Sequence, residues 1–109
     1  MALELLQGTL DLLILKTLAL SARPMHGYAV ARLIRERSDE VFLIEEGALY
    51  PALHRLERKG WIESEWGVSA NNRKARFYEL TPAGRAQLKA ELLNWRRYSQ
   101  AVAGVLQPA

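Results

Sequence analysis

The side chains that could do chemistry in this 109-residue chain fall into two groups. The first sits in "EEGALYPALHRLERKGW", residues 45–61, where Gly47, Tyr50, His54 and Arg58 are spaced three and four apart. On a helix that spacing gathers them on one face, with Arg55 and Lys59 beside it. The second is the run Asn71, Asn72, Arg73, Lys74 and Arg76, which holds three cations and no acid. Phenol, imidazole, guanidinium and ammonium donors suit anionic oxygens, and an arginine fork also matches the acceptor edge of guanine. The chemistry on offer is recognition of a polyanion.

Bond-making is poorly served. His26 and His54 lie in different segments, and no carboxylate pair has acid/base spacing. Neither a glycine-rich phosphate loop nor a metal-ligand cluster is present, so no enzyme, cofactor or metal site is expected. Cysteine is absent, which excludes disulfides, thiolate metal sites and thiol catalysis. Glu45 and Glu46 read as a helix-start pair that favours the helix dipole but repels phosphate.

These groups need elements to hold them. Leu10, Leu13, Ile14, Thr17 and Leu18 form an inward stripe on a first helix that Thr9 can cap and that runs to about Leu20. Leu12, Leu15 and Leu20 lie off that stripe, so the helix needs cover on more than one side. A central place in one core or a subunit interface would each supply it. "SARP" breaks the chain before a second helix from about Met25 to Arg37, which turns Val30 and Ile34 inward and Tyr28 and Arg32 outward. In the third helix, Leu49, Ala52, Leu53 and Leu56 face the core and Gly60 ends it. Proline is tolerated in a first helical turn, so Pro51 places the start near Gly47 or Ala48, with free N–H groups beside Gly47.

Ile62, Ser64 and Trp66 then alternate with Trp61, Glu63 and Glu65. Beyond "SANN", Arg76, Tyr78 and Leu80 alternate with Ala75, Phe77 and Glu79, which predicts a two-stranded hairpin. Trp61 and Trp66 read as packing residues at its base. Thr81 and Pro82 form an N-cap and N1 pair for a long helix reaching Val102 or beyond. On it Leu88, Leu92, Trp95, Ser99, Val102 and Leu106 make a heptad-like stripe that invites a partner helix.

Three helices followed by a hairpin is the element order of a winged helix-turn-helix. In that architecture the third helix enters the major groove of DNA and the hairpin reaches the neighbouring backbone. The predicted fold class is mainly α with a small β-hairpin. It comprises a winged helix-turn-helix DNA-binding domain over residues 1–80 and a C-terminal dimerisation helix over 81–109, in one compact unit. The net charge of +3 gives only slight support, because residues 1–44 hold five basic and five acidic groups and residues 45–80 hold six of each. The leucine-rich start is interrupted by Asp11 and Lys16 and lacks a basic leader. It is too short to span a membrane, which points to a cytoplasmic protein with no membrane partner.

The stretches "GTLDLLIL" (Gly8 to Leu15), "HGY" (His26 to Tyr28), "EGALYPALHRLERKGWI" (Glu46 to Ile62) and "YELTPAGR" (Tyr78 to Arg85) resemble the PadR family of transcriptional regulators, in its short subclass with one C-terminal helix. The resemblance implies a homodimer joined by C-terminal helices with help from the first helix, here through Leu10, Leu13, Leu88, Leu92, Trp95, Ser99, Val102 and Leu106. It implies repression through two heads on an inverted repeat of double-stranded DNA. By the same resemblance Tyr28, Tyr50, Pro51 and His54 face DNA and residues 71–76 are the wing. Ala48 departs from the family's usual serine or threonine, so a hydroxyl contact is missing there. Members often respond to aromatic or drug-like effectors near the dimer interface. Trp95 reads first as a large interface residue and second as a platform for such a ligand. The competing function is a winged helix that binds another protein and no DNA, since the fold alone does not dictate the partner.

Overall fold

A computed structural model of the chain describes residues 7–108; the first six residues of the leucine-rich start and Ala109 lie outside the described residues. Helix α1 (Gln7–Leu20), strand β1 (Met25–His26), helices α2 (Gly27–Arg37) and α3 (Glu46–Arg58), strands β2 (Ile62–Val68) and β3 (Lys74–Leu80) and helix α4 (Pro82–Leu106) follow in that order. This is a winged helix-turn-helix with a long terminal helix.

Helix α1 is the centre of the core. Ile14 and Leu15 are fully buried against Val30 of α2 and Leu49, Leu53 and Leu56 of α3. Burying side chains of this size contributes about 1.5–3 kcal/mol each. Leu12 and Leu15, which fall off the expected stripe, are covered by the same chain, so the central-helix reading accounts for them. Leu10 is covered too and has almost no surface left to offer a partner. The helix already includes Gln7 and Gly8, so Thr9 sits inside it and is not its cap.

The expected hairpin gains a third strand. The sheet order is β1-β3-β2, all antiparallel. Met25 lies opposite Tyr78 and His26 opposite Phe77, so the second helix starts two residues later than the sequence predicts. His26 closes the strand and opens the helix: its Nδ1 accepts the Ala29 N–H at 3.1 Å. Between β2 and β3 the register pairs Ile62 with Leu80, Ser64 with Tyr78 and Trp66 with Arg76, as the alternation predicts.

Helix α3 starts at Glu46, so Pro51 stands in its second turn and does not mark its beginning. The donor that proline lacks would have bonded the Gly47 carbonyl one turn back. Helix α4 opens as expected: Thr81 Oγ1 accepts the Gly84 N–H at 3.0 Å and donates to the Gly60 carbonyl at 2.6 Å. Gly84 rests on the backbone of Trp61, where a Cβ would overlap the carbonyl oxygen. Leu88 then joins the core and Leu92 packs at its edge. Beyond them the helix leaves the head with Trp95, Tyr98, Val102, Val105 and Leu106 exposed.

Candidate nucleic-acid interface

One groove of about 720 Å³ runs between the start of α2, the outer face of α3 and the wing formed by β2 and β3. Tyr28, Tyr50 and His54 line it from the helices, and Arg73, Lys74 and Arg76 line it from the wing. Tyr50 and His54 are exposed, with none of the described residues closed over them. Among the described residues, no acidic one lines the groove.

The "HGY" stretch has a physical reason. A Cβ on Gly27 would come within 3.1 Å of the Tyr50 ring and 3.2 Å of Leu53. Glycine therefore lets α2 seat directly on α3 and fixes where Tyr50 stands.

The wing sheet divides its charge between two faces. Glu63, Glu65 and Glu79 point away from the groove and gather with Pro24 and Phe77. Strand alternation turns Arg76 the other way, beside Trp66 and Ser64. Three of the six acids of residues 45–80 thus lie on the side of the sheet away from the groove, while Glu45, Glu46 and Glu57 belong to α3 and its cap.

Several expected DNA-facing residues stand elsewhere. Arg55 is a correction: its Nη2 lies 2.8 Å from Asp11 Oδ1 on α1, with side-chain exposures of 23% and 10%. That guanidinium is committed to the interior. Arg76 reaches the groove but is tethered, donating from Nε and Nη2 to Ser64 Oγ at 3.1 and 2.9 Å. Ser64 Oγ in turn donates to Glu57 Oε2 at 2.7 Å, which links the wing to α3. Gly47, Pro51, Arg58 and Asn72 are exposed but do not line the groove. Asn72 holds a left-handed turn at the wing tip, with φ of 59°. Among the described residues Arg58, Arg73 and Lys74 make no ion pair.

Several further groove residues are not among those the sequence marks as DNA-facing. Trp66 is 58% exposed and is not a packing residue. Its ring carries Lys74 Nζ at 5.2 Å and the Arg76 guanidinium at 5.1 Å from its centroid. Strand alternation places it correctly beside Arg76, but it lies beyond the reach of the core. His26, Arg32 and Ser69 also line the groove and carry no spacing signal. Tyr78 forms part of the floor; burial pushes its phenol above the ordinary value, and the Glu57 carboxylate adds to the rise.

The stripe on α4 is likewise divided. Leu88 is buried in its own head, which removes it from any interface, whereas Trp95, Val102 and Leu106 are open. Trp95 and Tyr98 stack with ring centroids 6.1 Å apart. With Gly8, Thr9, Leu12 and Glu91 they border a cleft of about 310 Å³ between α1 and α4. Glu91 Oε2 is buried there without a hydrogen-bond partner among the described residues. No helix among the described residues is long and apolar enough to cross a membrane, and none of their acidic or histidine side chains group to hold a metal ion.

This architecture recurs in solved structures. A transcriptional regulator from Clostridium thermocellum superposes with a TM-score of 0.82 at 29% identity, over 93% of this chain and 96% of that one. A PadR family transcription regulator from Clostridium difficile gives a TM-score of 0.74 at 30% identity, over 89% and 97%. A transcriptional regulator of Mycobacterium tuberculosis is 45% identical over 64 residues, 59% of this chain and 56% of that protein. An uncharacterised protein of Lysinibacillus sphaericus is 29% identical over 91% of this chain and 89% of its own. The model of the Transcriptional regulator PadR-like family matches residues 14–90, well over half the length. The protein therefore belongs to the PadR-like family of transcriptional regulators, and its groove is to be read as part of a regulator and not of an enzyme.

Proposed function

We propose that the groove between α3 and the wing is where this regulator lies on duplex DNA. The observation that carries this is the groove's lining: Tyr50 and His54 on one wall, Arg73 and Lys74 on the other, and no carboxylate of the described residues between them. Tyr50 and His54 approach base edges in the major groove while the wing cations neutralise the flanking backbone. Glu57, the acid beside the wing, is already engaged by Ser64 and Arg76. The rival reading, a protein-binding winged helix, drew on balanced charge, and the segregation of acids to the opposite face of the sheet weakens it.

The protein acts as a homodimer through the open part of α4. Trp95, Ser99, Val102 and Leu106, with Leu92 at the inner end, form the contact; Leu13 borders a separate cleft with Thr17, Ile34 and Phe42 and is not part of it. Two heads then meet an inverted repeat whose half-sites lie about 34–36 Å apart, and occupancy represses the promoter. The α1–α4 cleft suits a flat aromatic or drug-like effector, since it offers the stacked rings of Trp95 and Tyr98. Effector binding there releases the DNA.

Fluorescence anisotropy on a mixed-sequence duplex at two salt concentrations tests the reading. Affinity should fall steeply with salt, by about 0.9 log–log units per neutralised phosphate. Binding that is absent, or indifferent to salt, favours the protein-interaction alternative.

A further inference from the structure

We propose that the Asp11–Arg55 ion pair is a positioning device for the recognition helix. On this view Asp11, a residue of the core helix that cannot reach a duplex, governs how tightly the protein holds DNA. The inference rests on the DNA reading above.

By spacing alone, Arg55 looks like a DNA contact, for it follows His54 and flanks the exposed face of α3. The structure gives its charge another partner. Arg55 Nη2 lies 2.8 Å from Asp11 Oδ1, across 44 positions of sequence. Asp11 is itself buried between Leu10 and Leu12 on α1. For Arg55 to turn toward a phosphate it would have to strand that carboxylate in the core, which is among the costlier events a fold can suffer. The guanidinium therefore stays inside when DNA binds.

The pair does more than fill space, because of where it pulls. Residues 55 and 57 are two apart, about 200° around a helix, so their side chains leave α3 on opposite flanks. Arg55 ties one flank to α1. Glu57 ties the other to the wing, through Ser64 Oγ at 2.7 Å and Arg76 Nη2 at 3.6 Å. Leucine packing fixes the depth of α3, but apolar contacts are non-directional and restrain its roll weakly. Two opposed polar links fix the roll, and with it the direction in which Tyr50 and His54 point. The α1 link is spare: Arg55 Nε is buried with no partner among the described residues, so one hydrogen bond carries it.

The test uses the full chain carrying Asp11→Asn, which keeps the shape and removes the charge. A second variant, Asp11→Glu, keeps the charge and shifts the carboxylate by one methylene, and serves if the first does not fold. Amide hydrogen exchange of the free protein is measured across residues 46–58, with β2, β3 and α4 as internal references. A duplex selected from a random pool by the wild-type protein is the binding probe. Exchange in the last two turns of α3 should quicken about 10-fold in Asp11→Asn while the references hold, and duplex affinity should fall about 10-fold with the salt slope unchanged. Asp11→Glu should show smaller changes in the same direction. If Arg55 were itself a DNA contact, freeing it would preserve or raise affinity and steepen the salt slope by about 0.9, overturning the proposal. Unchanged exchange in α3 in a folded variant overturns it as well. If the wild type selects no duplex, the DNA reading fails, and the exchange measurement still decides whether the pair orients α3.

Discussion

Two regions of this molecule expose large aromatic rings, and their surroundings differ. On the head, Tyr28 and Trp66 are 64% and 58% exposed, and Arg32, Arg73 and Lys74 share their groove. On the outer half of α4, Tyr98 is also 64% exposed, but its neighbours along the helix are Trp95, Val102, Val105 and Leu106. A ring among cations suits a phosphodiester backbone and its sugars; a ring among aliphatic side chains suits another protein surface. Exposure by itself says little. The chemistry of the neighbours separates a candidate nucleic-acid face from a candidate self-association face.

The comparison breaks most sharply at the core of the head. Leu53→Ala opens a cavity beneath α3 and should cost about 2–5 kcal/mol in a thermal or denaturant melt. Leu106→Ala, at the far end of α4, should change the stability of the head by less than about 0.5 kcal/mol. If both cost the same, the head is not complete within one chain.

The next largest effect is on assembly. Val102→Glu places a charge in the open stripe without touching the head. Size-exclusion with light scattering should report a dimer for the wild type and a monomer for the variant, with the melting temperature of the head nearly kept. Leu92→Glu is a poorer choice, because Leu92 also packs against the core.

A smaller change separates the wing from the rod. Arg73→Ala combined with Lys74→Ala should flatten the log–log salt dependence of duplex binding by about 1.8, two phosphates' worth. Arg96→Ala combined with Arg97→Ala, which removes two exposed cations from α4, should leave it unchanged. Equal effects would mean that net charge and not the groove attracts DNA.

The smallest effect concerns Tyr78. Its phenol titrates above its ordinary value of 10.0 in the fold because burial disfavours the phenolate and Glu57 repels it. The unfolded chain thus loses that proton first as pH rises. The contribution of Tyr78 is fully present below pH 10.0 and is lost as pH climbs through the raised value. Tyr78→Phe should flatten the alkaline limb of stability and leave the rod's assembly untouched.

Much of the head was legible in the sequence because its signals are local. The spacing of Leu49, Ala52, Leu53 and Leu56 gives α3 its buried face, and alternation along residues 62–66 and 76–80 gives the register of the wing. Thr81 and Pro82 announce α4 in two residues. The misses share a different origin. Strand β1 is two residues long, too short for any period, and exists only because Tyr78 and Phe77 lie alongside. Arg55 sits on the edge of the exposed face, and nothing near it in sequence reveals the carboxylate that claims it. Trp66 shares a face with Ile62, but its strand has run past the core by then, so the ring hangs over open groove. Pro51 misleads because tertiary burial of Leu49 and Leu53 holds the helix through the missing hydrogen bond.

The most direct measurement is hydroxyl-radical footprinting of the protein's own aromatic side chains, with and without duplex DNA. Saturating duplex should protect Tyr28, Tyr50 and Trp66 from oxidation. Trp95 and Tyr98, which the proposed dimer contact shields from the start, should stay as they were. Protection confined to the α4 rings, with Tyr50 and Trp66 oxidised as readily as in free protein, would contradict the placement of DNA in the groove.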